Sequence, residues 1–243
     1  MIRNLLYRLT PFTGSNYIWN LQELFKRIDI FNGRRIIAIA TGEGCDPLRK
    51  VDAILSCLFG HAPSYRHEHE QIITKVEDTL WENTTFIPLL TKLKGDFDPD
   101  SITFYGHSKG VTRSKPGHVW AGWEHDLCAH VWAEAMYHYN LDMIENVESK
   151  FNKGYQTVGC FRRIGKWAQF HPDNTWHYSG NFFWVNQTSL FKRDWTKIEP
   201  TKFGPEGYVG SLFHLEESAC LRFDNVRCEP YQPACLKSLR LLP

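Results

Sequence analysis

The sharpest local feature of the chain is His107-Ser108-Lys109-Gly110. Lysine brings a mobile positive charge, histidine a hydrogen-bond donor or acid, serine a hydroxyl, and glycine lets a ligand approach the backbone. Together these suit a phosphate or a departing diphosphate. The tetrapeptide follows Ile102 to Tyr105, a short apolar run of strand character. Ligands of open α/β sheets bind beyond the C-terminal ends of the strands, so the position fits the chemistry. The same residues also read as a polar turn with a solvated lysine.

A second segment, Trp176-His-Tyr-Ser-Gly-Asn-Phe-Phe-Trp184, sets aromatic residues around a small hydrogen-bonding centre, Ser179-Gly180-Asn181. A sugar ring has an apolar face and a hydroxyl rim, so aromatic platforms beside an asparagine make a natural cradle. Its other reading is a core strand with a glycine bulge. On this pattern Phe182 and Phe183 belong to the core, and His177, Asn181 and Trp184 are the functional candidates. Glu206, in Gly204-Pro-Glu-Gly207, opens a helix where a carboxylate can serve as a base or simply favour the positive helix end. Glu82 opens another helix. Weaker signals are set aside. His67-Glu68-His69 offers two ligands without a third, and Cys220, Cys228 and Cys235 lack zinc-site spacing. Asp96-Phe-Asp98-Pro-Asp100 reads as a turn.

The elements that must position these groups alternate. Leu5 to Phe12 reads as a strand, Ser15 to Phe31 as a helix closed by Asn32-Gly33, Arg34 to Thr41 as a strand buried on both faces, and Pro47 to Leu58 as a helix. A polar loop then leads to a short strand at Ile72 to Val76, a helix from Glu82 to Leu93 and the strand ending at His107. A long helical pattern runs from about His118 to Asn140 and on to Phe151, with Trp120 and Trp123 assigned to packing. Tyr155 to Phe161 and Trp176 to Val185 read as strands, and Gly204 to Leu215 as a last helix. Strand-helix alternation predicts one α/β domain over residues 1–243, with a mostly parallel, Rossmann-like central sheet flanked by helices.

Composition bounds the partners. The chain has 243 residues, 28 Lys and Arg against 27 Asp and Glu, and a formal charge of +1. That balance gives no electrostatic reason to expect nucleic acid or an acidic membrane as the main partner. Aromatic residues reach 14 %, a surplus that means either a heavily packed core or stacking surfaces. The first ten residues make a poor signal peptide, and no apolar run is long enough to span a bilayer. The seven cysteines are read as reduced thiols of a cytoplasmic protein, with peripheral membrane association left open.

The order of a Tyr-x-His-(Ser/Thr)-Lys-Gly strand end, a helix carrying Trp-x-x-x-Met and a later Tyr-Ser-Gly-x-Phe-Phe-Trp segment resembles bacterial and viral GT-A-type glycosyltransferases. It is similar to the rhamnan-synthesis-type proteins. The matching positions are His107 to Gly110, Trp132 and Met136, and Tyr178, Ser179, Gly180, Phe182, Phe183 and Trp184. Trp19, the Phe31-Asn32-Gly33 turn and the Glu82 helix fit around them, so the likeness covers roughly residues 1 to 215. It implies a nucleotide-sugar donor and a hydroxyl acceptor on a saccharide, lipid-linked glycan or other molecule. Thr10, Pro11, Thr41, Glu82, Ser108 and Gly110 would contact the donor. His107, Lys109 and Glu206 would act in catalysis, and His177, Ser179, Gly180, Asn181 and Trp184 would shape the sugar and acceptor pocket. One departure matters: the Asp-x-Asp that holds Mn²⁺ or Mg²⁺ in many such enzymes is missing from the end of the His107 strand. Lys109 with His107 is therefore expected to do part of the charge neutralisation, although a divalent cation stays compatible. Rival readings are a carbohydrate-binding protein of the same fold, or a transferase acting on a modified base of viral DNA, which the +1 charge disfavours.

Overall fold

The first strand, β1 (Ile2–Leu9), is the middle of the molecule, and its alternation feeds two cores at once. Leu5, Tyr7 and Leu9 point into one, and Leu6 into the other. A strand apolar on both faces needs cover on both faces, which a layered α/β architecture provides. The computed structural model describes residues 1–59, 69–75, 82–96, 98–111, 122–168, 175–201 and 203–242.

Beside β1 lie β2 (Arg35–Thr41) and β4 (Ser101–His107), both parallel to it, and β3 (His69–Lys75) pairs parallel with β2. Three short strands extend the other side: β8 (Phe183–Asn186), β5 (Thr157–Gly159) and β9 (Ser218–Cys220). The seven-stranded order is β3-β2-β1-β4-β8-β5-β9. β8 runs antiparallel to both β4 and β5, whereas β5 and β9 are parallel. The sheet is thus mostly parallel, as the alternation predicts. A separate two-stranded ribbon joins β6 (Arg162–Ile164) to β7 (Trp176–Tyr178).

Helices α1 (Tyr17–Phe25), α2 (Leu48–Phe59), α4 (Trp123–Tyr137) and α5 (Ile144–Asn152) supply the core that receives Leu5, Tyr7 and Leu9. On the opposite face α3 (Asn83–Lys94) and α7 (Gly204–Leu212) bury Phe86, Leu89, Leu90, Leu93, Tyr208 and Val209 against Leu6, Ile36 and Tyr105. Pro88 lies inside α3 and does not end it. Two short helices, α6 (Gln187–Phe191) and α8 (Pro233–Ser238), also lie among the described residues. No helix among the described residues is long and apolar enough to cross a membrane.

Several expected elements divide. The segment from Trp176 to Val185 is two strands in two sheets, because Gly180 and Asn181 take φ of 93° and 61° and reverse the chain. Tyr155 to Phe161 contributes β5 only, and Phe161, at φ 55°, turns the backbone before β6. The helix expected to Phe31 stops at Phe25 and resumes as a 3₁₀ turn, Ile28–Ile30. Trp123 does not pack inside: it is 74 % exposed, because α4 buries the stripe of Cys128, Trp132 and Met136. Trp120 lies outside the described residues.

Cysteine usage also departs from the expectation of thiols throughout, since Cys228 and Cys235 form a disulfide. It closes a short loop over a sequence separation of 7. Cross-linking so short a loop removes denatured-state entropy worth about 2 kcal/mol in the chain-entropy picture. Thermal denaturation with and without dithiothreitol should show the reduced protein melting lower by about 4–8 °C, the shift that loss gives in a chain of this size. Identical melting curves would mean that the bridge contributes nothing.

Candidate functional site

Strand order reverses between β1 and β4, since β2 and β3 extend to one side and β8 to the other. In open α/β sheets the crevice beyond the strand ends at such a point is where ligands bind. The C-terminal end of β4 is His107, which stands in register beside Arg8 of β1. The two strand ends are clasped together: the Ser108 N–H donates to the Arg8 carbonyl at 3.0 Å, and the Thr10 N–H donates to Ser108 Oγ at 2.9 Å. Ser108 is therefore part of the frame, with Thr10 and Pro11 buried behind it.

His107 makes two ring contacts. Its Nδ1 lies 2.9 Å from Glu82 Oε1 and its Nε2 3.0 Å from the Gly180 carbonyl. Both partners are acceptors, so both contacts are hydrogen bonds when the ring carries both protons. The other oxygen of Glu82 accepts from Asn181 Nδ2 at 3.0 Å. Burial pushes the Glu82 pKa up, but His107, Arg8 and Lys109 more than reverse this and hold the carboxyl well below its usual range. Glu82 thus ties the His107 strand end to the Gly180-Asn181 turn.

Lys109 is 6 % exposed, and its backbone is held from both sides by Asn20. The Lys109 N–H donates to Asn20 Oδ1 at 3.0 Å, and Asn20 Nδ2 donates to the Lys109 carbonyl at 3.0 Å. The ammonium stands 4.3 Å from the Trp132 ring centroid and 5.4 Å from that of Tyr231, within cation–π range. Burial lowers its pKa, yet Tyr231, Glu206 and Glu82 raise it further, so the lysine stays charged. Gly110 follows at φ 80°. Glu206, in the first turn of α7, accepts a long 3.4 Å hydrogen bond from the Gly180 N–H. His107, Lys109, Glu82, Glu206, Gly180 and Asn181 therefore meet at one place, although they come from four separate stretches of chain.

Other candidates fall elsewhere. Trp184 is fully buried, stacks on Phe31 with centroids 5.8 Å apart and donates from Nε1 to the Asn140 carbonyl at 2.9 Å. It is a core residue with no face left for a sugar. His177 is also buried, opposite Arg163 in the β6–β7 ribbon, with Nδ1 3.3 Å from the Ala168 carbonyl. Ser179 is buried and donates its N–H to the Phe161 carbonyl at 2.9 Å. Thr41 ends β2, one strand out from β1. Of the His67-Glu68-His69 stretch, the first two residues lie outside the described ones.

Residues with no sequence signal complete the site. Arg8 is 3 % exposed beside His107. Asp46 shapes the loop after β1, accepting from Thr13 Oγ1 at 2.9 Å and from the Tyr17 hydroxyl at 2.7 Å. Tyr231 comes from the disulfide-closed loop beyond the end of the motif pattern.

The donor set does not fit a divalent cation. Both Glu82 oxygens are taken, by His107 and Asn181, and the cations Arg8 and Lys109 act on the same carboxylate. Asp98 instead braces the turn before β4, accepting from the Asp100 N–H at 2.9 Å. Among the described residues no group of three or more His, Cys, Asp or Glu side chains is arranged to hold a metal.

Two of these groups make stability depend on pH with the same sign. Burial, then the Arg163 charge, push the His177 pKa down to about 3 from 6.5. The unfolded chain therefore takes up this proton first, and stability falls as pH drops below about 6.5. Glu82, depressed from 4.5, adds a second loss once pH falls below that value. Urea unfolding across pH 8 to 3 should show stability falling in that order, and His177→Gln should flatten the upper part. An unchanged slope would remove His177 as its source.

Compared with known proteins, the chain matches no protein-family model and finds no match among curated sequences.

Proposed function

We propose that this protein is a GT-A-type glycosyltransferase that moves a sugar from a nucleoside-diphosphate donor to a hydroxyl acceptor. The observation that carries the reading is the convergence of His107, Lys109, Glu82, Glu206 and the Gly180-Asn181 turn where the strand order reverses. Lys109, as a buried ammonium, would meet the charge that develops on the diphosphate as it leaves. His107, fixed between Glu82 and Gly180, would hold the turn that aims it. Such preorganised charge is the largest single contribution to many enzymatic rates.

In the transfer step the acceptor oxygen bonds to the anomeric carbon as the bond from that carbon to the phosphate oxygen breaks. The bonding pair leaves with the diphosphate. Glu206 would take the acceptor proton, and Asn181, whose Nδ2 is held by Glu82, would offer its Oδ1 to a sugar hydroxyl. Burial of Trp184 and His177 removes the broad stacking platform that a carbohydrate-binding module would use, which favours the enzyme over that rival.

The test is a thermal-shift screen against UDP-, GDP- and dTDP-sugars, in EDTA and again with Mn²⁺, followed by an assay of nucleotide release. A true donor at about 100 times its dissociation constant adds about 2.7 kcal/mol to stability, and slow hydrolysis should follow. No shift and no release with any donor would overturn the reading.

A further inference from the structure

Arg8 is the one cation of the cluster that has no partner among the described residues. It lies two residues after Leu6 on β1, on the sheet face that carries Leu6 and, on β4, Tyr105 and His107. Its side chain is 3 % exposed, yet Nε and Nη2 donate to nothing. The nearby carboxylate does not serve it, because Glu82 Oε1 is bonded to His107 and Oε2 to Asn181. Glu82 meets Arg8 only through its charge, and a buried guanidinium that leaves two N–H groups unbonded is costly. A chain selected for stability alone would place leucine or methionine there, in line with Leu6.

Other buried polar atoms beside Arg8 are also without partners: Thr10 Oγ1, the Tyr105 hydroxyl and Asn181 Oδ1. Thr10 follows Arg8 by two residues, Tyr105 shares its face of the sheet, and Asn181 holds the same Glu82. Unsatisfied groups gathered at a strand-order reversal mark a ligand site more readily than scattered packing faults do. The kind of ligand follows from their chemistry. A guanidinium offers two parallel N–H groups that match two oxygens of one phosphoryl group, and an ammonium acts as a point charge. Arg8 and Lys109 flank the same carboxylate from two strand ends.

From this we infer that Arg8 is a direct diphosphate-binding residue, its guanidinium gripping one phosphoryl group while Lys109 meets the other, with no metal ion between them. The inference deepens the transferase reading and rests on it for the identity of the ligand, although the anion site itself can be tested separately.

The probe is inorganic pyrophosphate, titrated calorimetrically in EDTA into the wild-type protein, Arg8→Met and Arg8→Lys. Wild type should bind, and Arg8→Met should bind about 30-fold more weakly, the loss of one charge-assisted bidentate contact. Arg8→Lys, which keeps the charge and loses the fork, should fall between them. Without ligand, Arg8→Met should melt close to the wild-type temperature, since neither Nε nor Nη2 makes a hydrogen bond to lose and Glu82 keeps its bonds to His107 and Asn181. A structural arginine would give the opposite result, so Arg8→Met that melts well below wild type overturns the inference. Unchanged pyrophosphate affinity in either variant does so too, and inorganic phosphate binding as tightly as pyrophosphate overturns the diphosphate assignment. The two readings fail separately. Arg8-dependent pyrophosphate binding without nucleotide release from any donor leaves the anion site and removes the transferase. Donor turnover untouched by Arg8→Met does the reverse.

Discussion

Lys109→Ala should lower nucleotide release from the donor by about 10²–10³-fold, the usual cost of deleting one preorganised group that meets developing charge. The turn itself should survive. Asn20 holds the Lys109 backbone through both its N–H and its carbonyl, and neither bond involves the side chain. What disappears is the ammonium over Trp132 and Tyr231, together with one of the charges that keep Glu82 ionised. The melting temperature should therefore move little while turnover collapses, and substrate binding should suffer less than the rate. Lys109→Arg is expected to recover only part of the loss, because a planar guanidinium cannot occupy the same point above the Trp132 ring. The assay is release of nucleoside diphosphate in EDTA, beside a thermal melt of each variant. Activity within about threefold of wild type in Lys109→Ala would remove the lysine from the leaving-group role that this experiment measures.

The residues of this site differ in how visible they are to sequence reasoning, and the difference is one of range. His107 and Lys109 are legible because a buried strand running straight into a polar turn is a local pattern, and the strand end alone says where the side chains go. The parallel sheet is legible for the same reason, since Arg34 to Thr41 can only be a strand covered on both faces. Arg8 is not. In the sequence it is one polar residue in a mixed strand. Its burial depends on β1 lying between β2 and β4, which no window of the sequence contains. Trp184 misleads in the opposite sense. Beside Ser179-Gly180-Asn181 it resembles a sugar platform, but β8 sits inside a sheet with helices on both faces. Phe183 enters one core and Trp184 the other. Tyr231 reaches Lys109 through a loop closed by Cys228 and Cys235, and neither the disulfide nor the packing of α8 on α4 leaves a periodic trace. Glu206 and Glu82 fall between these cases. Their helix-start positions are readable, whereas their meeting at Gly180 and Asn181 depends on a turn between strands of two different sheets.

That turn is where the second large effect is expected. Gly180→Ala should destabilise the protein by about 3 kcal/mol or more, from two separate causes. At φ 93° the backbone is in a region that side chains rarely adopt. A Cβ built there would also run into Met136 Sδ and stand 2.9 Å from Trp132 Cζ2, both of them buried side chains that would have to shift. The melting temperature should fall by about 6–12 °C for a chain of this size. Activity should fall with it, by about 10²-fold at temperatures where the variant is still folded, because a shift of about 1 Å misplaces reacting groups. The Gly180 carbonyl holds His107 Nε2 and its N–H faces Glu206, so any displacement is felt by both. The two causes can be separated with Met136→Ala. If the clash matters, the double variant should be more stable than the sum of the two single costs implies, by about 1 kcal/mol. If only the dihedral matters, the costs should add. A Gly180→Ala protein that melts within about 2 °C of wild type and keeps its turnover would mean that the turn relaxes without cost. Its hold on His107 and Glu206 would then not be the source of the site's geometry.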